Sequence, residues 1–495
     1  MRTDASSWLS PGVRTTAWSV AGVGAAAVIA ALGWIDPVIP FAVVAGLVLL
    51  VVAVFLPKLF ALLAVVTIVL TSPIQSALGA AGSYADEAVV LLAFTSFSTR
   101  RFVTDRRLVY LPGLPWFGLF IAMGVLSGVA NRVAFGTMSE AMLLILKGLI
   151  FAFALAQLRW TVRDLRLLAR IGAVAVIFFA LTGVINLVAP GVWSSLISGD
   201  APVTAVMGVP ALSGPFQHPA AFSRFCAVLA IALISYGLIV RASVGNAILL
   251  LVTGGLAVLT FQVKTIIGLG ATVGLLLLRY GRPVMWVAVL CVVPLIGVVI
   301  VPPLYELIAG DFEVYVVQDS ARSALTLGSL SVAAHYFPLG AGFGRYGSYT
   351  AGSTYSPEYV DLGFTHIYGL GRGDAGMFLN DTQWPAILGE SGWLGAAFFA
   401  AGIVAIFVSL CRPTSAAEPT LVKWLRVTGI GWLLVLLIES VAAPVFVSAP
   451  SYPFVFAAAG MLASFRDSAR FPELRLPRSA AIPKQTAVRS AALVE

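Results

Sequence analysis

The chain has 495 residues, 60% of them hydrophobic and only 11% charged, with a formal net charge of +8. A soluble domain carries about 25% charged residues. No globular core buries so large an apolar share, so the composition excludes a water-soluble protein and makes lipid the solvent.

Apolar runs near the bilayer-crossing length of about 20 residues fall at 17–35, 38–56, 59–77, 86–98, 109–130, 137–158, 167–189, 219–240, 245–262, 265–279, 283–302, 385–410, 422–442 and 445–463. The expected fold is all-α: a polytopic integral membrane protein with about 14 (12–14) transmembrane helices. The first run is followed by no small-residue cleavage site, so it reads as a retained anchor. The run at 86–98 is short enough to be re-entrant. Cys226, Cys291 and Cys411 lie within or at the end of apolar runs, which leaves no disulfide framework.

The basic residues stand in clusters between the runs, a pattern of membrane topology and not of nucleic-acid binding. Arg100, Arg101, Arg106 and Arg107 follow the fourth run, and Arg159, Arg163, Arg166 and Arg170 the sixth. Arg279 and Arg282 follow the tenth, and Arg412, Lys423 and Arg426 the twelfth. Arg466, Arg470, Arg475, Arg478, Lys484 and Arg489 follow the last. If every run crosses once, all of these share one face, which the positive-inside bias makes cytoplasmic. Both termini are then inside. The chain reads as one polytopic domain of the plasma (inner) membrane, with residues 464–495 as a disordered cytoplasmic tail.

The other face holds two long segments, 190–218 and a large extracytoplasmic loop at 303–384. That loop carries eight acidic residues against three arginines, and His218, His335 and His366 all fall on this face. Polar mass on one face marks where chemistry is expected. Within the loop, Gly342-Phe-Gly344-Arg-Tyr-Gly347 matches the spelling of a dinucleotide-binding turn. Such a turn must follow a strand and open a helix. Here "ALTLGSLSVAAHYF" precedes it and reads as an amphipathic helix. The stretch is therefore a tight glycine turn after a helix, whose amides also suit a lipid-linked phosphate.

Charged residues inside apolar runs are costly, so each is a functional hypothesis. Lys147 sits in the middle of "EAMLLILKGLIFAF", with Glu140 two turns away on the same face. It is either functional or part of a buried pair. Arg224 in "SGPFQHPAAFSRF" lies about one turn into a span that Pro219 opens, either snorkelling or binding a phosphate. Lys264 in "LTFQVKTIIGLG" sits at an outer turn, against the positive-inside trend. Arg322 opens a helix in "VQDSARSALTLGSL", where a cation is unfavourable unless it binds an anion. In "FLNDTQWPAILGESGWLG", Asp381 or Thr382 caps a span and Glu390 falls inside it. On a continuous helix those two carboxylates would face opposite ways. Together these residues form an outward-facing set: Arg224, Lys264 and Arg322 as cations, with Asp381, Glu390 and His218 as proton handlers. Three cations suit a diphosphate, whose oxygens pair with Arg and Lys.

At these motifs the chain resembles the O-antigen ligase and Wzy-type polysaccharide polymerase superfamily, membrane glycosyltransferases of the GT-C class. The likeness is best over 208–400. "SGPFQHPAAFSRF" resembles the family's Gly-x-Phe-x-x-Pro opening of a span. "LTFQVKTIIGLGATVGLLLL" resembles its arginine-bearing span pair, with Lys264 in the arginine's place. "SARSALTLGSLSVAAHYFPLGAGFGRYG" resembles its external Arg-helix-Pro-Leu-Gly-x-Gly-x-Gly segment, which makes Arg322 the second cation. "NDTQWPAILGESGWLGAAFF" resembles its closing motif, with Asp381 where the ligases carry histidine. That exchange favours a polymerase, or a ligase-like enzyme acting on another glycan with a lipid or cell-wall acceptor, over a strict ligase.

The resemblance implies a donor glycan on a polyprenyl diphosphate in the outer leaflet and an acceptor sugar hydroxyl. Lys264 and Arg322, with Arg224, would hold the diphosphate, and Asp381 would take the hydroxyl proton. A chain-length regulator and a flippase of the same pathway are the implied partners. No metal or cofactor is expected, since the chain has no Asp-x-Asp. The rival class is a lipid-linked glycan transporter or flippase, which Lys147 would suit better. Against it, the chain has no visible internal repeat and its polar mass lies on one face.

Overall fold

The computed structural model describes residues 38–198, 205–206, 208–281, 321–373 and 377–470. The chain divides into two compact units, Met1–Leu63 and Ala64–Glu495. The first contributes an apolar helix, α1 (Val38–Phe55), and the opening of α2 (Pro57–Val69). The second holds the rest. It runs through α3 (Thr71–Leu78), α4 (Ala85–Asp105), α5 (Leu114–Ala130), α6 (Phe135–Gln157), α7 (Val162–Val188) and α8 (Pro190–Ser198). After a two-residue hairpin, β1 (Ala205–Val206) with β2 (Val209–Pro210), come α9 (Pro219–Ile239), α10 (Val244–Val258) and α11 (Val263–Tyr280). Then follow α12 (Ala321–His335), α13 (Tyr349–Thr354), α14 (Pro357–Asp361), α15 (Trp384–Cys411), α16 (Thr420–Glu439) and α17 (Tyr452–Arg470).

The protein is a mostly helical membrane protein. Six helices, α6, α7, α9, α11, α15 and α16, are long and apolar enough to cross a bilayer, and α2 with α3 make a seventh if that 72° bend is one broken span. Val174, Leu181, Val184 and Val188 of α7 stand exposed, an apolar face of the kind that lipid covers. The expected fourteen crossings are not reached among the described residues, for physical reasons. Helices α5 and α10 have 17 and 15 residues, or about 26 and 22 Å against a hydrocarbon core of about 30 Å. Helix α4 is long enough but carries Asp86, Glu87, Arg100, Arg101 and Asp105. The runs at 17–35 and 283–302, with Cys291, lie outside the described residues, as do 471–495. Helix α17 continues through 464–470, the first part of the expected tail: Ser464 donates to Leu158 O, and Asp467 pairs with Arg101.

Small residues let these helices approach. A Cβ on Gly460 of α17 would collide with the Ala152 carbonyl of α6, and one on Gly148 would meet the Tyr452 carbonyl at 2.9 Å. Phe117 and Phe120 of α5 pack edge-on against Phe399 of α15, with ring centres 5.5 and 5.0 Å apart. The basic ends of three helices gather at one place: Arg101 and Arg107 pair with Asp467, and Arg159 pairs with Asp105.

The segment between α12 and α15 is a packed layer and not a loose loop. Leu325, Val332, Tyr346, Tyr359, Phe364 and Leu379 share one apolar core. The Arg345 guanidinium binds Glu358 at 2.6 Å, and that pairing offsets the desolvation that would otherwise raise the Glu358 carboxyl, leaving it below its ordinary range.

Candidate functional site

Three turns and the start of α12 place the polar residues. Before α9, the Asn186 side-chain oxygen accepts from the Ser213 amide at 2.8 Å and the Gly214 amide at 3.3 Å. Trp193 donates to the Gly214 carbonyl at 2.6 Å. Held this way, the turn delivers His218 as the cap of α9, its Nδ1 accepting from the Ala220 amide at 3.1 Å. Pro219 then starts the helix, and Arg224 follows on its second turn. Between α10 and α11, Phe261 takes a left-handed conformation (φ 54°) and Lys264 opens α11. Arg322 opens α12, and Asp381 lies in the turn before α15.

These five residues, spread from position 218 to position 381, come together. Arg322 grips Asp381 through Nε at 3.1 Å and Nη2 at 2.6 Å, both onto Oδ2. Lys264 Nζ donates to the Ala442 carbonyl at 2.9 Å and lies within electrostatic reach of Arg224, Arg322, Glu439 and Asp381. Arg224 is 8% exposed and interacts through space with Glu439 and Asp381. Its Nε has no hydrogen-bond partner among the described residues.

Glu439 belongs to the cluster and was not singled out from sequence. It is 1% exposed, and neither carboxylate oxygen has a hydrogen-bond partner among the described residues. Thr265 stands beside it without reaching hydrogen-bond geometry. The rule that flagged Lys147 and Glu390, a charge inside an apolar run, also applies to Glu439 in the run at 422–442.

The cluster is thus three cations against one ion-paired and one buried carboxylate. His218 adds a hydrogen-bond donor. Because Nδ1 accepts, the ring proton of the neutral form sits on Nε2. The edge of the ring is exposed, yet surrounding protein desolvates it, and Arg224 and Lys264 repel a second proton. Both effects hold His218 below its ordinary value of 6.5. The sign follows: on acidification the unfolded chain takes up this proton first, so folding stability falls as pH drops below 6.5. The thermal midpoint of the wild type should fall over that range. His218→Asn, which caps without titrating, should lose this part of the fall.

Two candidate residues, the separately considered Lys147 and the expected member Glu390, are bound by other partners. Lys147 is 5% exposed and binds Asp86 Oδ2 and Glu87 Oε1, each at 2.7 Å, with Nζ 4.7 Å from the Tyr452 ring centre. Glu140, considered as its partner, is exposed. Glu390, expected among the proton handlers, is taken up by the glycine turn. Its Oε1 accepts from the Gly344 amide at 2.8 Å, the Tyr346 amide at 3.4 Å and the Ser348 hydroxyl at 2.5 Å. The turn is an anion nest whose anion is the protein's own carboxylate. A phosphate would have to displace that carboxylate from a buried position.

A cavity of about 40 Å³ is lined by Phe120, Phe343, Ser348, Asn380, Thr382 and Glu390 among others, and by none of the three cations. Asp381 is therefore turned to Arg322, while its neighbours Asn380 and Thr382 line this cavity. Among the described residues, no three His, Cys, Asp or Glu side chains stand close enough to share a metal ion. The site can bind a polyanion through Arg and Lys, with a carboxylate next to one of those cations. No protein-family model and no curated protein matches the chain.

Proposed function

We propose that this protein is a membrane glycosyltransferase that moves a polyprenyl-diphosphate-linked glycan onto a sugar hydroxyl at the outer face of the plasma membrane. The reading is a polysaccharide polymerase serving O-antigen, exopolysaccharide or capsule, with ligase-like transfer to a lipid or cell-wall acceptor as its close variant. The observation that carries it is the convergence of Arg224, Lys264 and Arg322 from three separate helices. That the basic helix ends share one face draws support from their meeting around Asp105 and Asp467.

In this reading the cations hold the diphosphate as charge develops on it. The acceptor oxygen attacks the anomeric carbon, and the carbon–oxygen bond to the diphosphate breaks. The diphosphate leaves with the electron pair. Asp381 takes the hydroxyl proton on Oδ1, because both Arg322 bonds end on Oδ2.

The test is purified protein given a lipid-linked repeat unit in vesicles. Lengthened glycan and released polyprenyl diphosphate are expected. Movement of the unit across the bilayer without a new glycosidic bond would instead establish the flippase.

A further inference from the structure

Helix α15 is broken at Gly392, whose φ of 70° is non-helical. In a continuous helix the carbonyls of Gly389 and Glu390 would accept from amides one turn later. Here they accept instead from Ala341 at 2.8 Å and Gly342 at 2.9 Å. The glycine turn is thus threaded into the break, and Gly340 and Gly392 approach too closely for either to carry a side chain. The Glu390 carboxylate then binds Gly344, Tyr346 and Ser348 from below.

The turn in its place holds Tyr346, which is fully buried. Tyr346 donates to the Leu325 carbonyl of α12 at 2.7 Å. Gly328 of α12 and Gly389 of α15 are bare where its ring and hydroxyl pass. Leu325 is three residues, less than one turn, from Arg322. A continuous path of short contacts therefore runs from Glu390 through the turn and Tyr346 to the first turn of α12. Apolar packing could join these helices without burying a charge. A carboxylate with three donors adds direction, and direction matters for a guanidinium that must meet an anion.

We infer that Glu390 is a positioning residue for Arg322, fixing the first turn of α12 through the Gly344–Ser348 turn and Tyr346. This inference rests on the diphosphate reading of Arg322. The test uses purified full-length protein and farnesyl diphosphate, a short isoprenyl diphosphate, as the binding probe. Glu390→Gln and Tyr346→Phe should each weaken binding by about tenfold, the scale of one charge-assisted hydrogen bond. In an Arg322→Ala background neither should weaken it further, whereas Arg224→Ala should remain additive. Thermal midpoints measured in parallel separate this from unfolding, and Ser348→Ala stands in if Glu390→Gln does not fold. Wild-type affinity in these variants, with Arg322→Ala still impaired, overturns the inference alone. No binding by the wild type, or binding indifferent to Arg322→Ala, overturns the diphosphate reading and takes the inference with it.

Discussion

Lys264→Ala and Arg322→Ala should each lower turnover of a lipid-linked repeat unit by about 10²–10³-fold, the cost of removing one preorganised group that stabilises developing negative charge. The loss should far exceed any loss of folding. Arg322 and Asp381 keep 26% and 33% of their side-chain surface exposed, so breaking that pair costs at most about 1 kcal/mol. Lys264 gives up one bond to the Ala442 carbonyl, about 1 kcal/mol on the same scale. Arg322→Lys keeps the charge but loses the two-bond grip on Asp381 Oδ2, and should fall between wild type and alanine. In cells, both alanine variants should leave lipid-linked units accumulating on the outer leaflet. Accumulation on the inner leaflet would sink the glycosyltransferase reading in favour of a flippase.

Much of this arrangement is legible in the sequence. A lysine against the topological charge bias and an arginine at a helix start are each locally unfavourable, so each asks for an anion. Lys264 and Arg322 stand out for that reason, and they do approach each other. The glycine turn was legible as a turn, since Gly342, Gly344 and Gly347 all take positive φ. Its partner was not. A continuous helix from 381 puts Glu390 away from Asp381, but nothing local announces that Gly392 breaks the helix and frees the carbonyls that capture the turn. Lys147 shows the same limit. Its nearest acid in sequence, Glu140, is exposed, and its real partners lie some 60 residues earlier, where pairing depends on which helices pack together. Span counting meets a related limit among the described residues. Helix α4 is charged because it exchanges ion pairs with α6 and α17, and hydropathy does not see partners.

Lys147→Met should be strongly destabilising, and it should leave chemistry alone. Lys147 binds two carboxylates whose side chains are 3% and 12% exposed. Removing one member of a buried ionic group leaves uncompensated charge and costs about 3–5 kcal/mol. Here the remaining pair is doubly acidic, and Glu87 Oε2 already lacks a hydrogen-bond partner among the described residues. The thermal midpoint of the purified protein should fall steeply, and its yield from membranes with it. Asp86→Asn with Glu87→Gln in the same chain should restore most of the loss, because the charges that Lys147 compensates are then gone. Turnover per folded molecule should stay near wild type in the restored triple variant, since Lys147 is held by Asp86, Glu87 and the Tyr452 ring and lies outside the cation cluster. A triple variant that folds well and yet moves no substrate would give Lys147 a part in translocation and revive the transporter.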